Sequence, residues 1–99
     1  MGEFELLVLL ALLHLDNDAY GMHVREEIAK RTGREVSYGA VYTTLDRLER
    51  KGWVAHRLGE STPERGGRAR KYFRVLREGR KALRETRATL ALMSEGLTL

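Results

Sequence analysis

Ninety-nine residues make one domain and leave no room for a second hydrophobic core. The lack of cysteine excludes disulfides and thiolate metal sites, while 42% hydrophobic and 32% charged residues are the make-up of an ordinary folded chain. The net charge of +4 is uneven: residues 1–64 carry 8 basic and 11 acidic side chains, residues 65–99 carry 10 and 3, and so cationic a third suits a polyanion as well as it suits a solvated helix face.

The first element is a helix from about Glu3 to Leu15. Phe4, Leu6, Leu7, Val8, Leu9, Leu10, Leu12 and Leu13 leave it almost no polar side, so it must be covered from several directions. The run is no targeting segment: Glu3 and Glu5 stand where a positive leader would, and about ten apolar residues fall far short of the ~20 that span a bilayer. A cytoplasmic protein with no membrane partner is expected. Asp16, Asn17 and Asp18 form a turn and offer caps for a second helix, about Tyr20 to Thr32, which Gly33 stops. Ser37 caps a third, about Tyr38 to Lys51, with Val41, Thr44, Leu45 and Leu48 inward and Gly52 after its end. Trp53 to Leu58 reads as a strand, with Trp53 a core residue at its edge. Gly59 to Arg68 makes a basic loop, Lys71 to Val75 the returning strand, and about Arg77 to Met93 a fourth helix. The fold class is therefore mainly α with a small β-hairpin: a winged helix-turn-helix over residues 1–75, then a dimerisation helix over 76–99 that forms one compact unit with helix one.

Catalytic chemistry is not expected. His14, His23 and His56 share no metal-ligand spacing, no phosphate-binding loop occurs, and Gly66 and Gly67 between arginines need be no more than a flexible turn. No enzyme activity, metal or cofactor is anticipated.

DNA-reading signals are stronger. Ser37, Tyr38, Gly39, Tyr42, Thr43 and Arg47 lie at or outward from the start of a helix that follows another helix and a short turn, the arrangement that enters a major groove. Gly39 costs about 1 kcal/mol relative to alanine inside a helix, which points to close approach by a phosphate or by helix two. Tyr42 suits a phosphate-donating hydroxyl better than a packing role. Arg65, Arg68, Arg70 and Lys71 around the hairpin loop suit phosphate or minor-groove contact. Helix four puts Arg77, Arg80, Lys81, Arg84 and Arg87 on one side and Leu83, Leu90, Met93 and Leu97 on the other. With Leu6, Leu9, Leu10 and Leu13 of helix one, that seam forms the expected homodimer contact.

Ser37-Tyr38-Gly39-Ala40-Val41-Tyr42 and Leu45-Asp46-Arg47-Leu48-Glu49 resemble the recognition-helix signature of the PadR family. Tyr20-Gly21, Gly67-Arg68, Arg70-Lys71-Tyr72-Phe73-Arg74-Val75 and Glu78-Gly79-Arg80 extend the resemblance over nearly the whole chain. It implies a homodimeric repressor of double-stranded DNA that binds inverted repeats through its winged helix and dimerises through its terminal helix. Thr43 replaces a frequent proline, which alters base preference, and Leu76 replaces a usual capping threonine. Some members respond to a small-molecule effector, but the single short terminal helix lacks the segments that build an effector cavity in longer members, so no inducer is carried over. Outside this reading stand a winged helix used for protein–protein assembly and a regulator of MarR or ArsR type. Arg47-Leu48-Glu49 and the short last helix argue against both regulator types.

Overall fold

A computed structural model describes residues 1–59 and 70–99 of the chain. Along it run α1 (Glu3–His14), α2 (Gly21–Thr32), α3 (Tyr38–Arg50), β1 (Val54–Leu58), β2 (Lys71–Val75) and α4 (Arg77–Ser94). Mainly α with a small β-hairpin, the class read from the sequence, is the one observed.

The all-round apolar α1 is central because α2, α3, β2 and α4 all pack on it. Val8, Leu9, Ala11 and Leu12 are buried, while Leu6, Leu7, Leu10 and Leu13 are half-buried. This corrects the expected dimer seam. Leu9 is wholly enclosed by its own chain, and Leu83 of α4 joins the same core, so neither has surface left for a partner. The other large members of that core are Val24, Ile28, Val41, Leu45, Leu48, Val54, Phe73 and Val75.

The turn after α1 does something other than cap α2, whose N-cap is Tyr20, with no side-chain bond. Asp16 and Asn17 take left-handed backbone angles (φ 60° and 55°), which short polar side chains tolerate best. Asn17 then clasps the second strand: its Nδ2 donates to the Val75 carbonyl at 3.1 Å, and its Oδ1 accepts from the Val75 amide at 2.6 Å. Ala19 exchanges two backbone hydrogen bonds with Phe73, 3.1 and 2.7 Å long. The turn is thus spent on holding the hairpin to the helices.

β1 and β2 pair antiparallel, with Val54 opposite Val75, His56 opposite Phe73 and Leu58 opposite Lys71. Trp53 lies just before β1 and is half-buried. Its carbonyl accepts the Leu76 amide at 2.8 Å. The start of α4 presses on that same carbonyl at Gly79, where a Cβ would collide with the Trp53 oxygen and the Val75 side chain. As the missing threonine implied, Leu76 caps α4 without a side-chain bond. From Arg87 onward every residue of the chain is exposed, including Leu90, Leu92, Met93 and Leu97. Among the described residues no helix is long and apolar enough to cross a membrane.

Candidate nucleic-acid interface

The helix-turn-helix is α2, the connection over residues 33–37, and α3. Gly33 (φ 73°) ends α2 in a left-handed conformation, and Ser37 starts α3 by accepting the Ala40 amide on Oγ at 3.0 Å. Helix geometry leaves the amides of Tyr38 and Gly39 unpaired in the first turn. Between these two ends, Arg34 reaches back to Glu3 with two bonds of 2.8 and 3.2 Å, fixing the connection to the start of α1. That hydrogen bond and the guanidinium charge hold the Glu3 carboxyl below its usual range.

Val41, Thr44, Leu45 and Leu48 bury one face of α3, and Ser37, Tyr38, Gly39, Tyr42, Thr43 and Arg47 are all exposed. Their backgrounds differ. Nothing but Ser37 Oγ, 3.9 Å away, comes near a Cβ built on Gly39, so helix two is not what that glycine accommodates. Tyr42 leans instead on Gly21 at the start of α2. Arg47 lies on the opposite flank, close enough to Glu5 for its charge to favour that carboxylate. The third and fourth turns of α3 bring exposed Asp46 and half-buried Glu49. Exposed Arg47 and Arg50 stand in the same turns, so that end of the helix carries both signs of charge.

The hairpin stands beside this helix. Glu49 meets His56 Nδ1 at 2.6 Å, tying α3 to β1. Arg57 pairs with Asp18 through bonds of 3.1 and 2.8 Å, which keeps its guanidinium firmly protonated. Arg70 lies over the Tyr20 ring at 4.6 Å and Lys71 is exposed. Arg65 and Arg68 lie outside the described residues. Of the residues expected at the dimer contact, Leu90, Met93 and Leu97 are open to solvent and Leu6, Leu10 and Leu13 are half-open.

The pattern of the PadR-like transcriptional regulator family matches residues 9–85, a stretch from α1 to the middle of α4. The transcriptional regulator Rv3488 of Mycobacterium tuberculosis is 38% identical over 93 residues, covering 91% of this chain and 82% of that protein. The chain belongs to the PadR-like family. Among solved structures, a PadR family transcriptional regulator from Eggerthella lenta superposes with a TM-score of 0.75 at 31% identity, over 91% of this chain and 76% of that one. A winged-helix DNA-binding protein from STIV superposes with a TM-score of 0.76 over 99% and 98% of the two chains; at 18% identity that likeness establishes the winged-helix fold. The family, the Mycobacterium tuberculosis relative and the Eggerthella lenta protein are transcriptional regulators, not enzymes.

Two PadR-like signature positions now have a physical reason. Gly21 is small because Tyr42 sits on it, and Gly79 is small because the Trp53 backbone sits on it. Sequence reading missed Asn17 as the clasp of the hairpin and missed Arg25 altogether. Arg25 donates from Nε to the Val36 carbonyl and covers the Tyr38 ring. Its only sequence signal was an arginine on a helix already rich in charge, which distinguishes it from none of its neighbours.

Proposed function

We propose that this PadR-like chain is a homodimeric repressor that acts in the cytoplasm on an inverted repeat in duplex DNA. α3 enters the major groove, the hairpin lies along the flanking backbone, and α4 joins two chains across a two-fold axis. The observation that carries the DNA half is the outward strip on the first two turns of α3. Tyr38, Gly39, Tyr42 and Thr43 offer three hydroxyls and one bare stretch of backbone, with no acid among them, beside free helix-terminal amides. Such groups donate to phosphates and base edges at the end of the helix that meets DNA first. The excess of positive charge from residue 65 onward, including Arg65, Arg68, Arg70 and Lys71, supplies a field that draws the duplex in.

The dimer half is supported by apolar surface that none of the described residues covers. Leu90, Leu92 and Met93 project from the outer end of α4, Leu97 is exposed in the residues after it, and Leu6, Leu10 and Leu13 are only half-covered on α1. Pairing two copies removes both patches from water and places two recognition helices for paired half-sites. A dimer seated near a promoter blocks polymerase by occupancy, which is how repression follows from binding alone.

The test is selection of a duplex from a random pool, followed by titration of the selected and scrambled duplexes with salt. Neutralising about six to eight phosphates per dimer should give a slope of log affinity against log salt near −5 to −7. Equal affinity for selected and scrambled duplexes at physiological salt would overturn the regulator reading.

A further inference from the structure

We infer that Arg25, on the helix before the recognition helix, is the positioning residue that fixes how the first turn of α3 is presented to DNA. The inference rests on the DNA-binding reading above and adds to it a residue that never touches the duplex. Arg25 is half-buried on α2, facing the connection. Its Nε donates to the carbonyl of Val36 at 2.6 Å, and its Cζ lies 4.6 Å from the centre of the Tyr38 ring. Val36 and Tyr38 flank Ser37, the residue at which α3 begins. One guanidinium therefore grips both sides of the helix start.

Each contact restrains something different. The bond to Val36 sets the direction in which the chain enters the helix. The stacked guanidinium holds one rotamer of Tyr38, whose ring is otherwise 40% exposed and free to turn about its side-chain bonds. Only arginine does both, since its planar fork donates in the plane while its face lies on the ring. A lysine ammonium in the same place keeps the charge and loses the planar grip. Arg25 is also already committed to two partners in its own chain, which separates it from an exposed phosphate ligand such as Lys71.

The experiment compares Arg25→Lys, Arg25→Met and the wild type on a duplex selected by the wild type and on a scrambled one, each titrated with salt. Both variants should lose about tenfold in preference for the selected duplex, keep their affinity for the scrambled one, and keep the wild-type salt slope. In the free wild type, the Arg25 Nε–H proton should exchange slowly and be shifted upfield by the Tyr38 ring, and Tyr38→Leu should abolish that upfield shift. If Arg25→Met does not fold, Arg25→Lys and the proton signal decide. Wild-type preference in Arg25→Lys, or a slope about one unit flatter in Arg25→Met, would make Arg25 a phosphate contact and overturn the inference. An unshifted, fast-exchanging Nε–H would overturn it as well. A wild type that enriches no sequence overturns the DNA reading and this inference together, whereas a selective wild type with indifferent variants overturns the inference alone.

Discussion

The ring of Tyr42 closes over Gly21 so nearly that a methyl group on Gly21 would lie 2.5 Å from its Cζ and 2.8 Å from its hydroxyl oxygen. Gly21 opens α2 and Tyr42 lies in the second turn of α3, so the start of one helix sets the pose of a side chain offered by the next. Gly21→Ala should leave the fold standing. Alanine gains up to about 1 kcal/mol in helix propensity, and Tyr42, already 39% exposed, can swing outward to make room. The expected outcome is a melting temperature within a few degrees of wild type and affinity for the selected duplex lower by several-fold, as in Tyr42→Phe. Undiminished affinity would mean that the pose of Tyr42 does not matter to binding.

Asn17 carries two separable burdens, a left-handed backbone (φ 55°) and two hydrogen bonds to Val75. Asn17→Ala loses both bonds, at about 1 kcal/mol each, and puts into that conformation a residue without asparagine's tolerance of it, so it should cost about 2–3 kcal/mol. Asn17→Gly removes the strain and keeps the loss of bonds, so it should be the milder change. Chemical denaturation of the two variants gives the comparison. Equal destabilisation would show that the backbone conformation contributes nothing.

Glu5 sits in the first turn of α1 with its side chain almost enclosed, receiving Lys51 Nζ at 2.8 Å and the Gly2 amide at 3.2 Å. Burial works to raise its pKa. The hydrogen bonds from Lys51 and Gly2, with the charges of Lys51 and Arg47, outweigh burial and hold it below the ordinary 4.5. A carboxyl lowered on folding stabilises fully above its unfolded value, and that gain is lost as pH falls through the lower folded value. Stability should therefore decline below about pH 4.5. Lys51→Met leaves the carboxylate enclosed and short of a partner, at about 1–3 kcal/mol near neutrality. It should also remove the Glu5 share of the acid decline and reverse its sign, because a carboxyl whose burial dominates is raised on folding and gains stability as pH falls through its folded value. Melting curves from pH 3 to 7 test this, and an unshifted profile would show that Lys51 does not set the Glu5 charge.

Leu90 and Met93 test the dimer more cleanly than any pair that includes Leu83. Leu83 is built into the single chain's core, so replacing it confuses unfolding with dissociation. Leu90 is 53% and Met93 74% exposed within one chain, and aspartate at both positions leaves that chain's core intact. Sedimentation should show a folded monomer with specific DNA affinity lost, against a dimeric wild type. A wild type that is monomeric and well folded at micromolar concentration would refute the dimer.

The sequence by itself determined the elements. Ser37, Gly33 and Gly52 mark helix ends through local bonding and backbone angles, and the spacing of Val41, Leu45 and Leu48 selects one face of α3, because capping and periodicity are properties of neighbouring residues. The exposed strip of Ser37, Tyr38, Gly39, Tyr42, Thr43 and Arg47 was legible for the same reason, being what the buried face leaves over. Only the tertiary structure decided how that surplus is used. An evenly apolar α1 has no preferred face in sequence, so the packing of four elements around it was needed to show that Leu9 is enclosed while Leu10 is half-open. Asn17 and Val75 are 58 residues apart, and Arg25 and Val36 meet across a turn. No period or cap signals either pairing, since such contacts exist only once the chain has folded back on itself.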